Sequence, residues 1–98
     1  MPLPKANDLR AAAAKEKQAE VGRQVQHIVN LRKDTGHATV CVWLHMGSVL
    51  SSDDRIVRDA WLAAAQAWAK SQAKSGYKIT VTASVRLGDE GVFVDVRW

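Results

Sequence analysis

The C-terminal stretch, residues 77–98, constrains the fold more than any other part of the chain. From residue 77 to 87, apolar and polar side chains alternate strictly, which is the period of a strand with one buried face. The turn sequence at 88–91 and a second apolar run at 92–98 complete a predicted β-hairpin. Pairing Leu87 with Val92 sets apolar residues opposite each other along both strands. Since a slip of one residue would destroy this match, the pattern predicts a definite register.

Residues 7–33 are expected to form a long first helix. Asn7 is a suitable N-cap, and Asp8 suits the positive end of the helix dipole. Residues 11–20 have high helix propensity but almost no bulky apolar side chain, so a projecting arm is one interpretation. The second half has one apolar stripe that predicts packing on the core: Val21, Val25, Ile28, Val29 and Arg32. Residues 1–6 carry two prolines and are expected to be a frayed lead-in.

A strand and a second helix lie between the first helix and the hairpin. Residues 38–46 are apolar on both sides of their alternation, which predicts a central strand or one covered on both faces. Ser51 or Ser52 caps the second helix, and Gly76 follows its end. Small residues along one stripe predict close packing of that helix on the sheet: Ile56, Ala60, Ala63, Ala64, Ala67 and Ser71.

The element order is therefore α-β-α-β-β. We expect an α+β fold in which a three-stranded mixed sheet carries both helices on one face, as a two-layer α/β sandwich. This order resembles the later part of the Alba-type fold, a β-α-β-α-β-β architecture of chromatin-binding and RNA-binding proteins. The resemblance covers the element order over residues 8–98. The first strand of that fold is missing, no sequence motif is shared, and the resemblance assigns no functional residue.

Size and charge restrict the class of protein. A chain of 98 residues indicates one domain, and its few Leu, Ile and Phe residues predict a thin core that self-association would support. The net charge of +4 is mildly basic and far below what alone would indicate nucleic acid binding. A single cysteine, Cys41, excludes an internal disulfide and fits the cytoplasm. We find no signal peptide and no apolar run that could span a bilayer, so no membrane partner is predicted.

The sheet face that the helices would leave open is the first candidate site. It is predicted to combine aromatic rings with basic side chains: Trp43, His45, Lys78, Arg86, Phe93 and Arg97. Exposed aromatic patches usually mark an interface. Rings on a strand also stack with unpaired bases while cations hold the phosphates. Three interpretations remain open, namely a protein partner or second copy, a cover within the monomer, and nucleic acid.

The helices offer two further candidate surfaces. Trp61 and Trp68 lie on one flank of the second helix, where they are either binding hot spots or a cover for the sheet edge. The first helix carries cations that would bind phosphate if they shared one face: Lys15, Lys17, Arg23, Arg32 and Lys33. Acidic residues interrupt them, so an ordinary solvated face is the alternative.

Signals of catalysis are weak. The three histidines lack metal-ligand spacing, and Cys41 and His45 would lie roughly 13 Å apart along one strand. No phosphate loop is present, so we predict no enzyme activity, cofactor, metal or small-molecule substrate. We hypothesise a non-enzymatic protein-interaction domain that binds or occludes a larger partner or self-assembles, with a homodimer expected. A phage or mobile-element inhibitor of a host machine would fit. The alternative is a nucleic-acid-binding protein that uses the open face and the basic first helix.

Overall fold

The computed structural model describes residues 2–47 and 49–98, so Met1 of the predicted lead-in lies outside the described residues. The elements follow the predicted α-β-α-β-β order, and both helices contribute to one core on one face of the sheet. The predicted α+β two-layer fold is therefore confirmed. The elements are α1 (Ala6–Leu31), β1 (His37–His45), α2 (Ser52–Ser71), β2 (Lys78–Arg86) and β3 (Asp89–Arg97).

The sheet has the strand order β1-β3-β2, and both neighbouring pairs are antiparallel. β1 and β2 therefore run parallel to each other, but β3 lies between them. The predicted mixed sheet is wrong in this detail, because α2 connects two parallel strands that are not hydrogen-bonded neighbours. β3, and not β1, takes the centre, where its inner side chains are almost completely buried: Val92, Val94 and Val96.

The C-terminal hairpin is confirmed, but its register differs from the predicted one. Leu87 and Gly88 form the turn, with φ values of 54° and 81°. Two consecutive positive φ values are what a two-residue type I′ turn requires. Arg86 therefore pairs with Asp89, and the predicted pairing of Leu87 with Val92 is wrong. The shift is even, so each side chain stays on its predicted face.

The core forms where both helices meet the inner face of the sheet. Val21 and Val25 of α1 are buried, which confirms the predicted apolar stripe of that helix. α2 begins with a capping box, in which Ser51 and Asp54 each accept a hydrogen bond from the other's backbone N–H. The buried cluster comprises Val21, Val25, Val40, Val42, Ala65, Val92, Val94 and Val96.

Candidate protein-binding surfaces

A bulge in β1 moves two predicted site residues to the covered face of the sheet. Cys41 pairs with Phe93, but Trp43 pairs with Val92, so Val42 is an extra residue in the ladder. Directly opposite residues point to the same face, and Val92 is completely buried. Trp43 accordingly packs against the core cluster. The prediction that Trp43 shares the open face with Phe93 is therefore wrong.

His45 follows Trp43 to the covered side, so its predicted place on the open face is also wrong. The two rings stack with centroids 6.2 Å apart. His45 Nε2 lies 3.1 Å from the Val49 carbonyl oxygen, and Nδ1 lies 3.9 Å from Asp54 Oδ2. Hydrogen bonds from the side chain and backbone of Ser51, with a smaller effect of His45, hold the pKa of Asp54 below its usual value. These contacts connect the end of β1 to the start of α2.

Phe93 does lie on the open face, but its ring is covered. Only 9% of the residue is exposed. The ring lies beside Gly91, where an added Cβ would come within 3.2 Å of it, and the Arg86 guanidinium carbon sits 4.0 Å from the ring centroid. A cation over an aromatic face is attractive. The Arg86 guanidinium thus covers the Phe93 ring, so no ring surface is left there on which a base could stack.

Positive charge on the open face is partly offset. Lys78 and Arg97 are directly opposite each other at one end of β2 and β3. Together with Asp95 they line a small polar hollow. Asp95 Oδ1 accepts a hydrogen bond of 2.6 Å from Thr39 and lies 2.9 Å from His37 Nε2. These two contacts, that of Thr39 first, lower the pKa of Asp95. The carboxylate is therefore charged at neutral pH and lines the same hollow as the two cations.

Three hollows lie along α1 where it faces α2 and the start of the hairpin. One hollow of about 500 Å³ lies between the first half of α1 and α2, and a second of about 510 Å³ lies over Gly22 and Trp68. A third of about 210 Å³ reaches Tyr77 at the start of the hairpin. The first two share Gln18, and the last two share Gln26 and Trp68. We refer to these three adjoining hollows together as the interhelical groove.

Small side chains of α2 line this groove. The stripe predicted to pack on the sheet instead faces α1, and Ile56 on it is 68% exposed. That prediction is wrong because the bulkier side of α2, with Trp61 and Leu62, packs against the core. The members of the stripe that line the groove are Ile56, Ala60, Ala63, Ala64 and Ala67.

Trp68 contributes to both the core and the groove. Its ring packs against the core cluster and also lines two of the three hollows. A Cβ at position 22 would come within 2.9 Å of Trp68 Nε1. Glycine there lets the indole lie against α1, although glycine inside a helix costs about 1 kcal/mol relative to alanine. Trp68 is thus one of the predicted residues that remains accessible to a ligand of the groove.

The groove has a basic border. Arg10, Lys15, Lys17 and Arg23 line it, and none of the described residues that line it is acidic. Lys17 Nζ lies 5.8 Å from the centroid of the Trp61 ring, and Arg23 is paired with Glu20. The other two predicted basic residues, Arg32 and Lys33, follow the end of α1 and do not line the groove.

Comparisons of the chain with protein-family models, curated proteins and solved structures gave no match. Within residues 2–47 and 49–98, no group of three or more His, Cys, Asp or Glu residues is arranged to hold a metal ion. None of the helices in these same ranges is both long and apolar enough to span a membrane. The chain folds as a small α+β domain with two candidate binding surfaces, which are the interhelical groove and the open polar face of the sheet.

Proposed function

We propose that the chain is a non-enzymatic protein-interaction domain that binds a helical segment of a larger partner in the interhelical groove. The observation that supports this proposal is the mainly apolar lining of the hollow between the first half of α1 and α2, where Ile56 is exposed, with partly exposed Trp68 in the adjoining hollow. Amphipathic helices bind such grooves through apolar residues at helical spacing. On α1 the groove extends from Arg10 to Asn30, which corresponds to a length of about 30 Å.

The charges around the groove favour an acidic partner helix. Three cations, Arg10, Lys15 and Lys17, line it without an acidic residue beside them in the lining. Complementary charge steers association and suppresses wrong partners more than it adds affinity. Trp68 would serve as the anchor, because tryptophan is enriched among the residues that dominate binding energy.

Occlusion is the mode of action that such a surface supports. A domain of 98 residues that covers a functional helix of a larger protein needs no chemistry of its own. This would suit an inhibitor of a host machine, including one encoded by a phage or mobile element. The single Cys41 favours a reducing compartment such as the cytoplasm for this interaction.

Placing a carboxylate in the groove tests the proposal. Ala63 is exposed and lines the groove, whereas Ala12 is exposed on α1 outside the lining. The tagged chain would first capture its partner from a lysate of its natural host for identification by mass spectrometry. Titration calorimetry of that partner with each variant then measures affinity. We expect Ala63→Glu to weaken binding at least about tenfold, or 1.4 kcal/mol, and Ala12→Glu to leave it unchanged.

Equal affinity of the two variants would contradict the proposal. Circular dichroism of both variants checks that neither substitution unfolds the domain. If Arg86→Ala or Arg97→Ala abolishes binding while Ala63→Glu leaves it intact, the partner binds the open face and not the groove.

The alternative proposal is nucleic acid binding through the open face. A row of three basic side chains across the sheet supports it, because Arg97 pairs with His37 on one side and with Lys78 on the other. Covered Phe93 and charged Asp95 weigh against it. Fluorescence anisotropy with single-stranded and double-stranded DNA and RNA at low salt tests it. We expect affinity that falls steeply with salt and weakens in Arg97→Ala, and no binding at low salt would exclude this alternative.

A further inference from the structure

The two edges of the sheet are protected to different degrees. β1 has the bulge after Cys41, and Gln24, His27 and Ile28 of α1 line a hollow along it. β2 pairs with β3 without a bulge from Lys78 to Arg86, and the sequence between these two residues contains no proline and no charge. Bulges, prolines, charges and covering elements are how natural sheets prevent edge pairing. β2 is therefore the unprotected edge.

Apolar side chains of β2 are left exposed on the helix-covered side. Ala83 pairs with buried Val92, and Val85 pairs with Glu90, so both point toward the helix layer. Ala83 is nevertheless exposed, and 53% of Val85 is accessible. The helices bury Val92, Val94 and Val96 of β3 but leave Ala83 and Val85 of β2 exposed, so apolar surface lies directly beside unpaired backbone.

The turn determines which backbone groups of β2 point outward. In a two-residue hairpin, the residues that flank the turn form a hydrogen-bonded pair, here Arg86 and Asp89. Hydrogen-bonded and non-hydrogen-bonded pairs alternate along an antiparallel ladder. The N–H and C=O groups of Ile79, Val81 and Ala83 therefore point away from β3 and are available to another strand.

We propose that β2 pairs with β2 of a second copy, antiparallel about a two-fold axis at Val81, and so forms a continuous six-stranded sheet. Because the sequence of β2 alternates with period two, this register sets apolar residues opposite apolar ones: Ile79 opposite Ala83 of the second copy, and Tyr77 opposite its Val85. The interface is isologous and shares only Tyr77, at its end, with the interhelical groove. Val85 lies outside the groove lining and Ala63 lies outside β2, so the tests of the two proposals can fail separately.

Charge favours this register over one with the two-fold axis at Thr82. An axis at Thr82 would place Lys78 directly opposite Arg86 of the second copy, and like charges in that position are destabilising. An axis at Val81 places Lys78 opposite Ser84.

Sedimentation equilibrium of the purified chain tests this proposal, with two matched substitutions. Val85→Lys places a charge on the β2 edge, and Leu44→Lys makes the same change at a side chain of similar exposure on β1, since 51% of Leu44 is accessible. We expect the wild type to form a dimer. Val85→Lys should raise its dissociation constant at least about tenfold, and Leu44→Lys should not change it.

Hydrogen exchange supplies a readout that does not depend on a variant. The amides of Val81 and Ala83 should exchange more slowly as protein concentration rises, because only the second copy covers them. A chain that remains monomeric at its highest soluble concentration would overturn the proposal. A dimer that dissociates in Leu44→Lys but not in Val85→Lys would overturn it as well.

Discussion

The bulge in β1 makes a quantitative prediction about two adjacent residues. Trp43 packs against the core, whereas Leu44 on the opposite face is 51% exposed. A tryptophan buries about 150–250 Å², which corresponds to about 4–6 kcal/mol at 25 cal/mol per Å². Trp43 remains partly exposed, and a compact denatured state already buries part of this area. We therefore expect Trp43→Ala to lower the free energy of unfolding by about 2–4 kcal/mol.

Leu44→Ala is the matched control. Its side chain points to the open face opposite Gly91, so its truncation should cost less than about 1 kcal/mol. For a domain of this size, each kcal/mol changes the melting temperature by about 4–8 °C, so the two variants should separate clearly. Urea unfolding followed by far-ultraviolet circular dichroism is the suitable assay, because Trp43→Ala removes a fluorescence probe.

The order of the two effects tests the register directly. Without the bulge, Trp43 would point to the open face and Leu44 would point into the core. Leu44→Ala would then be the more destabilising change. That result, or a Trp43→Ala variant with unchanged urea midpoint, would refute the assignment of Trp43 to the covered face.

Two further predictions concern the hairpin and the open face. Leu87→Asn should raise the urea midpoint by an amount equivalent to about 0.5–1 kcal/mol. Leu87 has a φ of 54° and a fully exposed side chain, and Asn tolerates this backbone conformation better than Leu does. A lower midpoint would contradict the turn assignment. For Asp95, folding lowers the pKa of the carboxyl. The charged carboxylate therefore stabilises the folded state fully above the ordinary pKa of about 3.9, and this stabilisation is lost as the pH falls through the lower folded pKa. Stability measured from about pH 5 downward should decline less in Asp95→Asn than in the wild type, and parallel declines would show that Thr39 and His37 do not stabilise the charged form.

The sequence predicts elements and faces better than it predicts register. Period-two alternation correctly assigns the inner faces of β2 and β3, because only one side of each pattern is continuously apolar. The alternation does not show which residues form the turn, because Leu87-Gly88 and residues 88–91 both suit a turn. The two resulting registers differ by an even number of residues, so both place the same side chains on the inner face. The bulge is hidden for a related reason. β1 is apolar on both faces, so exchanging Trp43 for Leu44 on the covered side leaves its pattern equally apolar.

The same ambiguity in α2 accounts for the interhelical groove. Two stripes of this helix are apolar, one with small residues at Ala60 and Ala63 and one with the bulkier Trp61 and Leu62. The larger side chains bury more area per residue against the sheet, so they take the core and leave the small stripe facing α1. Apolar residues that the pattern assigns to the core therefore remain exposed in the groove, and Val85 remains exposed at the edge of β2. Both proposed interfaces thus follow from one cause, which is that this thin core cannot bury all the apolar surface that its helices and strands present.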